Sequence, residues 1–190
     1  MLAEAVVARL LRRVRKMRGM EMNIETSRFG ALVLTDQDLL IFSEGLLGFS
    51  NLRKFVLLDD PNDEIFAWLQ SCEEPDVAFP VLEPELFVTE YKCELPKSDL
   101  AALQMTDTKK SRSFLIITIP IDPTQMTANF KAPVVINIEK HLARQCVLQD
   151  NNLAIREPIF IRLQQRVVQN PTKALKDRVE TRDFAIRIPD

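Results

Sequence analysis

Glycine is scarce in this 190-residue chain: there are four, at 19, 30, 45 and 48, and none belongs to a phosphate-cradling loop, which argues against nucleotide hydrolysis. Histidine is scarcer still. The single one, His141, lies in EKHLARQ, and no serine or cysteine occupies a nucleophile-elbow motif, so a catalytic triad has no base. A solvent-facing turn is the simpler reading of that histidine. Cys72, Cys93 and Cys146 are odd in number, far apart and outside any CxxC pair, so neither a disulfide framework nor a zinc cluster is indicated; they read as small buried hydrophobes. No apolar run approaches the roughly 20 residues needed to span a bilayer. The early stretch AVVARLL is interrupted by Arg9 and followed by more arginines, unlike a cleavable signal peptide. The expected location is the cytoplasm.

What is present is an uneven distribution of charge. Residues 1–21 carry 6 basic against 2 acidic side chains, residues 22–160 carry 12 against 21, and residues 161–190 carry 7 against 4. The formal net charge of -2 thus conceals an acidic body between two basic ends. An acidic body repels nucleic-acid backbones and attracts basic proteins, so no direct nucleic-acid contact is expected of residues 22–160. With 46% apolar and 27% charged residues, the chain suits one well-buried domain with appendages.

Residues 4–18, EAVVARLLRRVRKMR, place Val6, Val7, Leu10, Leu11 and Val14 on one helical stripe opposite Arg9, Arg12, Arg13 and Lys16. This predicts a basic amphipathic helix, either a membrane or nucleic-acid contact or an extension ahead of a real beginning at Met20 or Met22. From Met22 the period changes. MNIET, GALVL, LLIF, KFVLL, FAWLQ, LFVTEY, FLIITI, VVINI and QCVLQ are short, rich in β-branched and aromatic residues, and separated by Asp, Asn, Pro or Gly clusters. They predict a mainly β fold, a small antiparallel β-barrel-like domain over residues 22–160. PKSDLAALQM predicts one short helix capping a barrel end, and the segment after Pro158 a helix or strand-to-helix extension broken at Asn170-Pro171. Residues 1–21 and 161–190 are then basic helical extensions.

Three segments have unusual texture. In FSEGLLGF two glycines bracket Leu46-Leu47, which suggests a tight bend with an apolar tip. The stretch from Phe66 to Phe87 holds the only Trp, Trp68, three of the eleven prolines and a cluster of acids. Its apolar positions, Trp68 and Phe79 among them, read as core, and so does Leu46; the SCEEPD acids read as a turn held out in water, because neighbouring carboxylates on an extended chain point to opposite faces and make poor acid–base pairs. In TANFKAPVVIN, Pro133 lacks a backbone donor and pushes Ala132 toward an extended conformation, so the following strand is expected to start at an edge or bulge, a rail for a docking partner.

MNIETSRFG, EGLLGF, WLQSCEEPDVAFPV, TANFKAPVVIN and RQCVLQ, in this order and spacing from Met22 to about Arg156, resemble the flagellar assembly factor FliW family. The resemblance implies a small antiparallel β-barrel-like protein without catalytic activity or cofactor. It implies two partners that bind alternatively: newly made flagellin, and the translational repressor CsrA. Exported flagellin would free the factor to remove CsrA from flagellin mRNA, a switch that needs only mutually exclusive binding. On this reading the free protein is a monomer, no metal is involved, and the contact surface comprises Glu73, Glu74 and Asp76 with Asn129, Lys131, Pro133 and Asn137. Both basic extensions lie outside the family pattern. The competing reading is an RNA-binding barrel acting through those basic ends, although Lys, Arg and aromatic residues do not interleave in its strands.

Overall fold

The runs rich in Val, Ile, Leu and Phe form strands because branched side chains pack well on a pleated surface and are stiff in a helix. The computed structural model describes residues 21–59, 66–86, 88, 91–169 and 185–188, and among these there are twelve strands and two α-helices. The strands are β1 (Met22–Thr26), β2 (Gly30–Leu34), β3 (Leu39–Phe42), β4 (Lys54–Asp59), β5 (Ala67–Ser71), β6 (Ala78–Leu82), β7 (Ser111–Thr118), β8 (Thr127–Ala128), β9 (Val134–Asn137), β10 (Leu142–Gln145), β11 (Glu157–Pro158) and β12 (Ile186–Arg187). The helices are α1 (Lys97–Ala102) and α2 (Phe160–Gln169). The basic stripe of residues 4–18 and the break at Asn170-Pro171 lie outside the described residues.

Strands β3 to β7 pair in sequence order, each antiparallel to the next. β7 also pairs antiparallel with β9, β9 with β10, and β10 returns to β3, with Leu142 opposite Ile41. Seven strands therefore close a barrel, and the mainly β, barrel-like expectation holds. One joint departs from the antiparallel rule. The β9–β10 hairpin enters beside β3 in parallel, because a hairpin that pairs its first strand antiparallel to β7 must present its second strand in the direction of β3.

Inside the barrel, Phe42, Phe55, Leu57, Leu69, Phe114 and Ile136 form one cluster, with the Phe42 and Phe55 rings edge to face at 5.0 Å. Burial of each such side chain contributes roughly 1.5–3 kcal/mol. Outside, three covers make the wall apolar on both faces. Leu32 and Leu34 of the β1–β2 hairpin lie over Val56, Leu58 and Trp68; Ile159 and Leu163 of the α2 region cover Leu82, Leu115 and Ile117; Leu103, just after α1, covers Val135 and Cys146. This is why all five residues of β5 are buried. Trp68 is buried as expected, but under the hairpin and not in the barrel interior, where Leu46 sits.

Several sequence expectations are corrected. LFVTEY forms no strand among its described residues; Pro84–Leu86 is a 3-10 turn instead. The strand of that region is β6, which contains Pro80. Ser71 donates to the Val77 carbonyl at 2.9 Å, so the ladder bonds alternate through Leu69–Phe79 and Ala67–Val81, and the missing Pro80 N–H falls on the side where pairing with β7 has not begun. The strand after Pro133 is not an edge, since β9 is paired on one side with β7 and on the other with β10. QCVLQ shares only its first residue, Gln145, with β10; beyond it the pairing continues through Cys146 N–H to the Pro133 carbonyl and Leu148 N–H to the Lys131 carbonyl, both 2.9 Å.

Candidate functional site

Register decides which loops share an end of the barrel. Ile41 pairs with Lys54, Phe55 with Ser71, Gln70 with Ala78, Val134 with Gln145, and Ala143 with Phe42. The EGLLGF bend, the SCEEPD turn and the Asn129–Pro133 approach to β9 therefore meet on one rim. The three segments singled out from the sequence are neighbours in space.

The bend is fixed by backbone. Gly45 has φ +72°, and a Cβ there would lie 2.5 Å from the Phe49 carbonyl oxygen and 2.8 Å from that of Leu52, so no other residue fits. Leu46 turns inward and is 2% exposed, whereas Leu47 is 60% exposed. Phe49 packs edge to face on Phe79, 5.1 Å away. Glu44, at the start of the bend, meets Arg144 of β10 at 2.7 Å, and the same guanidinium reaches Asp99 of α1 at 3.0 Å. Hydrogen bonding and the positive charge of Arg144 hold the Glu44 carboxyl below its ordinary value.

The acidic turn is built from beneath by Gln70. This fully buried amide donates to the carbonyls of Ser71 at 2.9 Å and Val77 at 3.1 Å, with Pro75 at 3.3 Å, so one side chain ties both ends of the turn together. Ser71 Oγ accepts the N–H groups of Glu73 and Glu74 at 3.1 and 3.0 Å. One carboxylate oxygen of Glu73 accepts the backbone N–H groups of Arg53 and Lys54. Asp76 accepts the Ser27 hydroxyl, and Ser27 N–H donates to the Pro75 carbonyl at 3.1 Å, which clips the β1–β2 turn onto the acids. Glu73, Glu74 and Asp76 are all exposed, although two of them also perform structural work that solvated turn charge would not. Cys72 beside them has its thiol pushed up to about 12 by burial and by the charge of Glu73, so it is no nucleophile at neutral pH.

On the third segment, Asn129 Oδ1 accepts the Ala132 N–H at 3.0 Å, and Lys131 Nζ donates to the Asp150 carbonyl at 2.7 Å. Both side chains remain half-exposed, while Pro133 is buried. Gln145 joins this segment to the bend: its Oε1 accepts Leu47 N–H at 3.0 Å and its Nε2 donates to the Ala132 carbonyl at 3.2 Å. Asn137 belongs elsewhere. It lies at the opposite end of β9, 3% exposed, donating to the Leu103 carbonyl at 2.8 Å and accepting from the Glu139 and Lys140 N–H groups. The sequence reading missed Gln70, Arg144 and Gln145; a glutamine between apolar strand residues and an Arg-Gln pair closing a short strand were the available signals. Among the described residues no three His, Cys, Asp or Glu side chains converge as a metal-ligand set, and no helix is long and apolar enough to cross a membrane.

Residues 23–159 match the family model described as FliW protein. The chain belongs to the FliW family. It is 66% identical over 167 residues to the flagellar assembly factor FliW of Bdellovibrio bacteriovorus, covering 88% of this chain and 95% of that protein. It is 39% identical over 142 residues to the flagellar assembly factor FliW of Leptospira interrogans, covering 74% and 95%. A crystal structure of the flagellar assembly factor FliW superposes with a TM-score of 0.68 at 30% identity, covering 73% of this chain and 97% of that one. The FliW core thus includes the whole rim. The Bdellovibrio match is longer than the 23–159 core, so that FliW relative also shares chain outside it.

Proposed function

We propose that this chain is a non-enzymatic flagellar assembly factor of the cytoplasm, monomeric when free, that binds newly made flagellin and, alternatively, the translational repressor CsrA, so that flagellin synthesis follows export. The observation that carries the reading is the 66% identity, across 95% of its length, to a protein that is itself a flagellar assembly factor. The rim supplies a fitting surface. Glu73, Glu74 and Asp76 steer a basic partner, Leu47 offers an exposed apolar anchor, and Asn129 and Lys131 add polar contacts beside it. Pro133 supports this surface from below and Asn137 holds the far end of β9, so their share in binding is indirect.

The test is recovery of partners on the purified protein with and without excess flagellin. CsrA is expected to be retained only when flagellin is absent. Recovery of both on one molecule contradicts mutual exclusion, and recovery of neither contradicts the reading altogether.

A further inference from the structure

The ladder between β3 and β4 ends at the pair Leu39–Val56. It ends there because the chain turns away just before β3: Thr35 N–H and Oγ1 both bond Asp38 Oδ2, at 2.6 and 2.7 Å, and Asp38 N–H returns to the Thr35 carbonyl at 3.0 Å. The lane beside Leu57, Leu58 and Asp59 is thereby vacated by the barrel's own strands. It is filled by the far end of the chain. Ile186 pairs with Leu58 and Arg187 with Asp59 in parallel, and Ile188 N–H donates to the Asp59 carbonyl at 3.1 Å. Ile186 and Ile188, two residues apart and so on one face, join the cluster of Leu34, Leu58 and Trp68 under the β1–β2 hairpin.

We propose that the β4 edge from Leu57 to Asp59 is a strand-addition slot for an extended peptide carrying branched apolar residues two apart, and that the segment Ala185–Ile188 is an internal latch occupying it. Two observations support a latch over a permanent strand. The slot lies within the 23–159 family core, whereas the segment that fills it lies outside. The contact is two register pairs long, among the shortest in the fold, and so short a strand sits at the low end of local stability. Tethering adds to these few contacts a local concentration on the order of millimolar. Main-chain bonds to β4 supply affinity in this mode, and the apolar cluster that receives Ile186 and Ile188 supplies selectivity. The slot is on β4, away from the rim loops, and its occupancy does not depend on the partner switch.

Trp68, the only tryptophan, lies in the cluster that receives both isoleucines and reports occupancy by fluorescence. The experiment uses the full chain, the Ile186→Ser/Ile188→Ser double variant, and a synthetic peptide of residues 184–190, FAIRIPD. The variant is expected to show shifted Trp68 emission that returns on titration with the peptide, and the unaltered chain to bind the same peptide about tenfold or more weakly because its own segment competes. A peptide with both isoleucines replaced by serine should not bind. Ile188→Pro, which deletes the donor to Asp59 while leaving the barrel sequence intact, should behave like the double variant. Equal peptide affinity in all chains, or no response of the variants to millimolar peptide, overturns the slot. Dimers of the unaltered chain in sedimentation overturn the internal latch in favour of exchanged segments.

Discussion

Arg144 and Asp99 are joined at 3.0 Å, so strand β10 and helix α1 are tied by a largely shielded ion pair. Arg144 also holds Glu44, and a single guanidinium thus links the outer helix to the rim bend. Arg144→Ala leaves Asp99, 8% exposed, without its cation, and is expected to destabilise the fold by about 1–3 kcal/mol. Urea denaturation reads this as a lower midpoint with unchanged slope.

The same link has a pH signature. The Glu44 carboxyl is depressed below its ordinary 4.5, so its interaction with Arg144 stabilises the fold above that value and is lost as pH falls through the lower folded value. The midpoint of the unaltered chain should therefore fall more steeply than that of Glu44→Gln between about pH 5 and pH 3. Parallel curves would remove Glu44 from the account.

Gly30 and Gly45 separate backbone conformation from crowding. Both have positive φ, +68° and +72°, but a Cβ at Gly30 meets nothing within 4 Å while one at Gly45 runs into backbone. Gly30→Ala should cost only the left-handed penalty of about 1–2 kcal/mol. Gly45→Ala should cost clearly more and weaken partner binding by moving Leu47, as thermal unfolding and partner titration of both variants would reveal.

Gln70→Ala removes the amide under the acidic turn. Loss of the bonds to Ser71 and Val77 should destabilise by about 1–3 kcal/mol. Hydrogen exchange at Val77 N–H, which donates to the Glu74 carbonyl, should accelerate more than exchange in β9.

Asn137→Ala and Glu74→Lys are expected to separate scaffold from surface. The first loses the bond to Leu103 and two N–H partners, so it should lower stability by about 1–3 kcal/mol while leaving partner affinity unchanged at temperatures where it is folded. The second touches an exposed side chain, so it should leave stability nearly unchanged and slow association with a basic partner in a salt-dependent way. Stopped-flow association and thermal melts of both variants give the comparison.

The strands legible in the sequence are those whose pattern is local. MNIET, GALVL, LLIF and KFVLL coincide with β1 to β4 because alternation and turn residues are read within a few positions. Pro80 concealed β6, since its lawful place depends on where β7 begins, and no local rule carries that. The parallel β3–β10 joint was hidden for the same reason. For the site, glycine punctuation marked the bend, exposed acids the turn and Pro133 the approach to β9, but Pro133 and Asn137 looked like surface because polarity and a missing donor do not disclose burial. Gln70, Arg144 and Gln145 act through partners distant in sequence, which leave no spacing to read.

Gln145 bonds the main chain at Leu47, 98 residues upstream, and the barrel closes only when β10 reaches β3. During synthesis, then, the bend and the acidic turn emerge long before the strand that frames them. A nascent chain cannot present the finished rim until residue 145 has cleared the ribosome, which at about 5–20 residues per second is several seconds after the bend appears. Whatever binds the finished rim meets only chains whose barrel has closed.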